Sequence, residues 1–78
     1  MINENKIYIL LGENIKNFRK LKNFSQDNLA YESGVNRAYI GYIERAEKRP
    51  SIRTVNKIAQ TLKIPFYKFF IKEGKQKI

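Results

Sequence analysis

Apolar residues recur along this chain at intervals of three and four and nowhere alternate over a sustained stretch, a pattern that predicts helices and no sheet. Ile7, Leu11, Ile15 and Phe18 form one stripe of a first helix expected over residues 6–22, with Lys16, Asn17 and Lys20 on the wet side. Asn23 and Phe24 break the pattern. Ser25 is a good N-cap, and Asp27 in the following turn suits the positive end of a second helix running to Ser33. Leu29 and Ala30 face inward on it. Gly34 supplies the turn beyond, where a positive φ meets no Cβ clash. Asn36 caps a third helix over 37–45, with Tyr39, Ile40 and Ile43 on its apolar side and Arg37, Ala38, Gly41 and Tyr42 on the other. A basic loop over 46–50 leads to Ser51, the cap of a fourth helix to Leu62, with Ile52, Val55, Ile58, Ala59 and Leu62 inward. Pro65 starts a short aromatic helix over 65–71, and the basic tail 72–78 is expected to fray. The expected fold class is all-α, a compact five-helix domain over 1–78.

Size limits what such a chain can do. It has 78 residues, and domains of this size bury only about 60% of the surface their unfolded chain exposes, so pairing with a second copy would help. A water-excluding active site is hard to enclose in one small core. Lysine and arginine total 16 against 7 acidic residues, a formal charge of +9, with a pI near 10.0. That balance is the electrostatic footprint of nucleic-acid binding, driven by release of counterions from phosphates. There is no cysteine and no histidine, which removes thiolate and imidazole metal sites and the usual general base together. No carboxylate pair and no phosphate-cradling glycine loop appears, so no cofactor, metal or small-molecule ligand is expected and an enzyme is the weakest reading. No apolar run approaches the roughly 20 residues of a membrane span. The first residues lack the basic-then-apolar order of a signal peptide, and the expected location is cytoplasmic.

The second and third helices are short and joined around Gly34. The small Ala30 lets them approach, and Val35, Ile40 and Ile43 pin the third against the body. This is a helix-turn-helix over 25–45, an arrangement that sets its second helix in the major groove. The runs Ser25-Gln26-Asp27-Asn28-Leu29-Ala30, Gly34 through Ile40, Ile43-Glu44-Arg45 and Arg49-Pro50-Ser51-Ile52 resemble the phage-repressor-like (XRE or Cro/repressor type) family over about residues 10–70. Asn36 through Gly41 followed by Ile43-Glu44-Arg45 is most similar to the controller proteins of restriction–modification systems. The resemblance implies a homodimer that binds double-stranded DNA at paired, pseudo-palindromic operators and regulates its own gene and the endonuclease gene. The family commonly has glycine after the Glu-Arg pair, where this chain has Ala46, so the loop beyond is expected to take a different backbone path.

Arg37 opens the third helix, where arginine can grip guanine O6 and N7 together. Ala38 could pack on a thymine methyl. Asn36 is read as the cap, with its backbone near phosphate. Tyr39 is divided between core and groove and is assigned to DNA, and Tyr42 faces outward beside it. The resemblance implies that Gln26 bonds a phosphate and braces the reading helix. Lys48 and Arg49 adjoin the expected DNA edge and are assigned to phosphates. The matching family pair also implies a structural ion pair between Arg19 and Glu44. Asp27 and Glu32 raise RNA polymerase as a further partner, since an acidic patch on this element touches it in activating relatives; a first-turn aspartate already suits the helix dipole.

Phe66, Tyr67, Phe69, Phe70 and Ile71 cannot all enter one small core. A twofold interface is the economical place for the rest, with Ile52 and Leu62 beside them. A phage repressor or an antitoxin shares the same fold, and neighbouring genes would separate these from a controller. A helical bundle that binds protein through its aromatic segment is the reading from another class, marked by indifference to DNA at low salt.

Overall fold

The computed structural model describes residues 4–72. Four α-helices and a 3-10 helix follow in order: α1 (Glu4–Leu21), α2 (Gln26–Ser33), α3 (Arg37–Glu44), α4 (Ile52–Leu62) and the 3-10 helix (Phe66–Phe70). No strand occurs among the described residues. The start of the chain before Glu4, and the tail beyond Lys72 for which fraying is expected, lie outside them.

Local chemistry places the boundaries. The Ser25 hydroxyl accepts from the Asn28 N–H at 2.9 Å while Asn28 Oδ1 accepts from the Ser25 N–H, a reciprocal cap. Asn36 Oδ1 accepts from Tyr39 N–H at the head of α3, and Ser51 Oγ from Thr54 N–H at the head of α4, both at 3.1 Å. All four α-helices are followed by a residue in the left-handed region: Asn23 (φ 63°), Gly34 (φ 77°), Ala46 (φ 60°) and Lys63 (φ 58°). Only one of the four is glycine, the residue that accepts this conformation without a Cβ clash.

One apolar core joins the elements. Leu11 and Ile15 of α1 meet Leu29, Val35, Ile40, Ile43, Val55, Ile58, Ala59 and Leu62, with Phe69 closing the base. The Phe69 ring stands edge-on to Phe18, with centroids 5.1 Å apart. Asn14 is buried on α1, and its amide donates to the carbonyls of Phe69 at 2.8 Å and Ile71 at 2.9 Å. These bonds satisfy carbonyls that a short helix end leaves open, and they tie the C-terminal segment to α1.

Several expectations are corrected here. The fifth element is a 3-10 helix, not an α-helix. With three residues per turn, Phe66 and Phe69 share the inner edge and Tyr67 and Phe70 the outer one. Phe69, expected between copies, is therefore fully buried in this chain's own core, while Tyr67 is 61% exposed. Leu62, also expected at that interface, is a core residue on the inward stripe of α4. Ile52, expected to face inward, is 75% exposed because it sits in the first turn, ahead of the core. Ile7 lies outside the buried stripe of α1, and Tyr8 packs on the core in its place.

Candidate nucleic-acid interface

The placement of α3 depends on a buried charge network. Arg19 Nε donates to Glu44 Oε2 at 2.7 Å and Nη2 to Oε1 at 3.1 Å, while Nη1 donates to the Phe24 carbonyl at 2.9 Å. Gln26 Nε2 adds a third donor to Glu44, at 2.9 Å. Side-chain exposure is 9% for Arg19 and 3% for Glu44. A bidentate guanidinium–carboxylate pair has one favourable geometry. It therefore fixes the last residue of α3 against the end of α1 and the first residue of α2. Gln26, expected to brace the third helix, touches it through Glu44.

Away from this clamp, α3 presents Arg37, Ala38 and Tyr42 to solvent. Asn36 caps the helix, which occupies its side-chain oxygen. Tyr39 is half-buried against the core, and its hydroxyl donates to the Arg49 carbonyl at 3.3 Å. Arg37 Nε donates to Asp27 Oδ1 at 2.6 Å, an exposed pair linking the first turns of α2 and α3.

The loop after α3 is ordered by the same kind of contact. Arg49, assigned from sequence to phosphate, is engaged by α1: Nη1 donates to Glu4 Oε2 at 2.7 Å, Nη2 to Asn5 Oδ1 at 3.1 Å, and its guanidinium lies 5.0 Å from the Tyr8 ring centre. Lys48 Nζ lies 5.6 Å from the centre of the Tyr42 ring.

Arg45 is a cation that the sequence reading passed over. Its guanidinium lies 5.5 Å from the centre of the same ring and its Nε is 3.1 Å from Glu47 Oε2. The hydrogen bond with Glu47 holds its pKa above the ordinary guanidinium value. Arg37, Gly41 and Arg45 are spaced four apart and share one face of the helix. At Gly41, Nη1 of Arg45 and of Arg37 lie 3.2 and 3.6 Å from where a Cβ would stand. The four-residue spacing was the signal in the sequence that could have found Arg45.

Ala46 corrects a further expectation. Its N–H donates to Ile43 O at 3.0 Å and that of Glu47 to Tyr42 O at 2.8 Å, the pair of bonds that closes a Schellman motif. The chain thus adopts at Ala46 the left-handed backbone that suits glycine, so alanine does not redirect the loop but is strained in it. Ala46→Gly is expected to raise stability by about 0.5–1 kcal/mol, the Cβ penalty less the entropy glycine loses. A thermal melt checks this: a rise of a few degrees is expected, and an unchanged or lower midpoint counts against strain.

The helix-turn-helix family model HTH_3 matches residues 15–69. The chain belongs to this family of DNA-binding regulators. Among helix-turn-helix relatives it is 35% identical over 65 residues to the control protein C.SmaI of Serratia marcescens, spanning 83% of this chain and 77% of that protein. The restriction–modification controller C.AhdI of Aeromonas hydrophila superposes with a TM-score of 0.78 at 32% identity, covering 81% of this chain and 96% of the other. A third similar helix-turn-helix structure is C.Esp1396I bound to a 25-base-pair operator, with a TM-score of 0.74 and 31% identity, covering 82% of this chain and 84% of that one.

Proposed function

We propose that this chain is a restriction–modification controller, a non-enzymatic regulator that binds a pseudo-palindromic operator as a homodimer and controls its own gene and the endonuclease gene. The observation that carries the reading is the exposed face of α3, Arg37 and Ala38 at its head, on a helix clamped from behind by Arg19, Glu44 and Gln26. Two copies of α3 sit about one helical turn, 34 Å, apart along the duplex. Arg37 reads guanine, Ala38 meets a thymine methyl, and Tyr42 and Arg45 line the groove wall. Gln26, Asn36 through its backbone, Tyr39 and Lys48 set register on phosphates. Arg49 holds the loop in place and meets phosphate only by giving up Glu4. Ile52, Tyr67 and Phe70 supply the contact between copies, with the half-buried Phe66 packed against Phe70 and the core, since a small domain rarely leaves such exposed side chains in water. The superposition on an operator-bound controller supports this reading.

Selection from a random DNA pool, followed by footprinting, tests it. Half-sites one turn apart with twofold symmetry are the expected result, and bound sequences without that spacing sink the dimer geometry. Arg37→Ala should weaken binding of the selected duplex about tenfold or more and leave the melting temperature unchanged, the loss expected of one bidentate base contact. Titration of selected and random duplexes measures it.

A further inference from the structure

Three exposed ion pairs occur among the described residues, and each holds an arginine of α3 or of the segment just after it: Arg37 with Asp27, Arg45 with Glu47, and Arg49 with Glu4. Exposed pairs of this kind contribute about 0–1 kcal/mol to stability, so the fold itself gains little from them. Two of these arginines, Arg37 and Arg45, lie together over Gly41 on the helix face that the proposed function assigns to DNA. Asp27 is the most informative of the three because of how it holds its arginine. Its carboxylate takes only Nε of Arg37, at 2.6 Å. Nη1 and Nη2 have no hydrogen-bond partner among the described residues, and these two nitrogens form the fork that guanine O6 and N7 accept.

We infer that Asp27 is a specificity-determining residue, one that lets Arg37 engage guanine while penalising its use on phosphate; this rests on the DNA-binding reading above. The physical distinction is charge. Guanine O6 and N7 are neutral acceptors, so Arg37 can bind them with Asp27 still on Nε. A phosphate drawn to the same guanidinium places a second anion beside the Asp27 carboxylate, and the two repel. Off-site binding consists mostly of phosphate contacts and bears the larger share of that penalty. Asp27 also limits the directions the long Arg37 side chain explores, so the fork is partly ordered before a base arrives. The acid touches no base itself and works through Arg37 as a positioning residue.

The test uses the full chain, the selected duplex, and a random-sequence duplex of 25 base pairs, the length in the C.Esp1396I complex. Asp27→Ala should tighten binding of the random duplex about threefold and weaken that of the selected one about threefold, so that discrimination falls about tenfold. Asp27→Glu keeps charge and acceptor and should restore discrimination. Glu13→Ala is the charge control: Glu13 is exposed on α1, is in no ion pair among the described residues, and its loss changes net charge by the same amount. If Asp27→Ala and Glu13→Ala shift both duplexes by a common factor, Asp27 acts only through net charge and the inference is overturned. Unchanged discrimination in Asp27→Ala overturns it as well. A wild-type protein that does not distinguish the two duplexes overturns the functional reading on which it stands, so the two failures are separable.

Discussion

Glu44→Ala is expected to leave the chain largely unfolded at 37 °C. The carboxylate accepts two bonds from Arg19 and one from Gln26, and it is almost wholly withdrawn from water. Removing it strands a buried guanidinium, which costs about 3–5 kcal/mol. Domains of this length have only about 5–15 kcal/mol of stability in total, and small ones sit at the low end. Urea denaturation followed by circular dichroism would measure the loss. The companion experiment separates charge from space. Arg19→Met with Glu44→Leu removes both ions and fills the volume, and should recover most of the stability, since the cost lies in the unpaired charge. A single variant that melts with the wild type would show that water reaches this clamp.

The second large effect is expected at Gly12, where α1 crosses the end of α3. A Cβ there would stand 2.5 Å from the Ile43 carbonyl oxygen and 2.8 Å from that of Glu44. Both are backbone atoms of a helix terminus and cannot rotate aside. Gly12→Ala must push α1 and α3 apart, at a cost of about 1–3 kcal/mol from overpacking, and it loosens the Arg19–Glu44 bonds beside it. Gly41 provides the contrast within the same helix pair. A Cβ there meets only the mobile ends of Arg45 and Arg37, so Gly41→Ala should raise stability by about 0.5–1 kcal/mol through helix propensity alone. Melting curves of the two variants should move in opposite directions. A common direction would mean that helix propensity, not helix spacing, governs both sites. Because Gly12 and Glu44 share this contact, their losses should not add.

The candidate site was partly legible before any coordinates. Ser25, Asn36 and Ser51 act within three residues of their own position, so the caps, and with them the head of α3, followed from local chemistry. The outward set Arg37, Ala38 and Tyr42 followed from helical spacing, which rotates side chains by a fixed angle per residue. What spacing could not show is whom each arginine holds. Arg37 reaches Asp27 across a turn, Arg49 reaches back to the first turn of α1, and Arg45 folds over Gly41. These partners are neighbours only once the helices have packed.

The same division runs through the whole molecule. The order of apolar and polar residues determined the helices, their caps, the turn at Gly34 and the basic face, because each depends on backbone geometry over a few residues. Only the packed structure decided that the last element winds with three residues per turn and so sends Phe69 inward and Tyr67 outward, that Leu62 belongs to the core, and that Gly12 lies against the end of α3. Those outcomes depend on which backbone passes within a few ångströms of which side chain, and that proximity is set by the joint packing of segments distant along the chain.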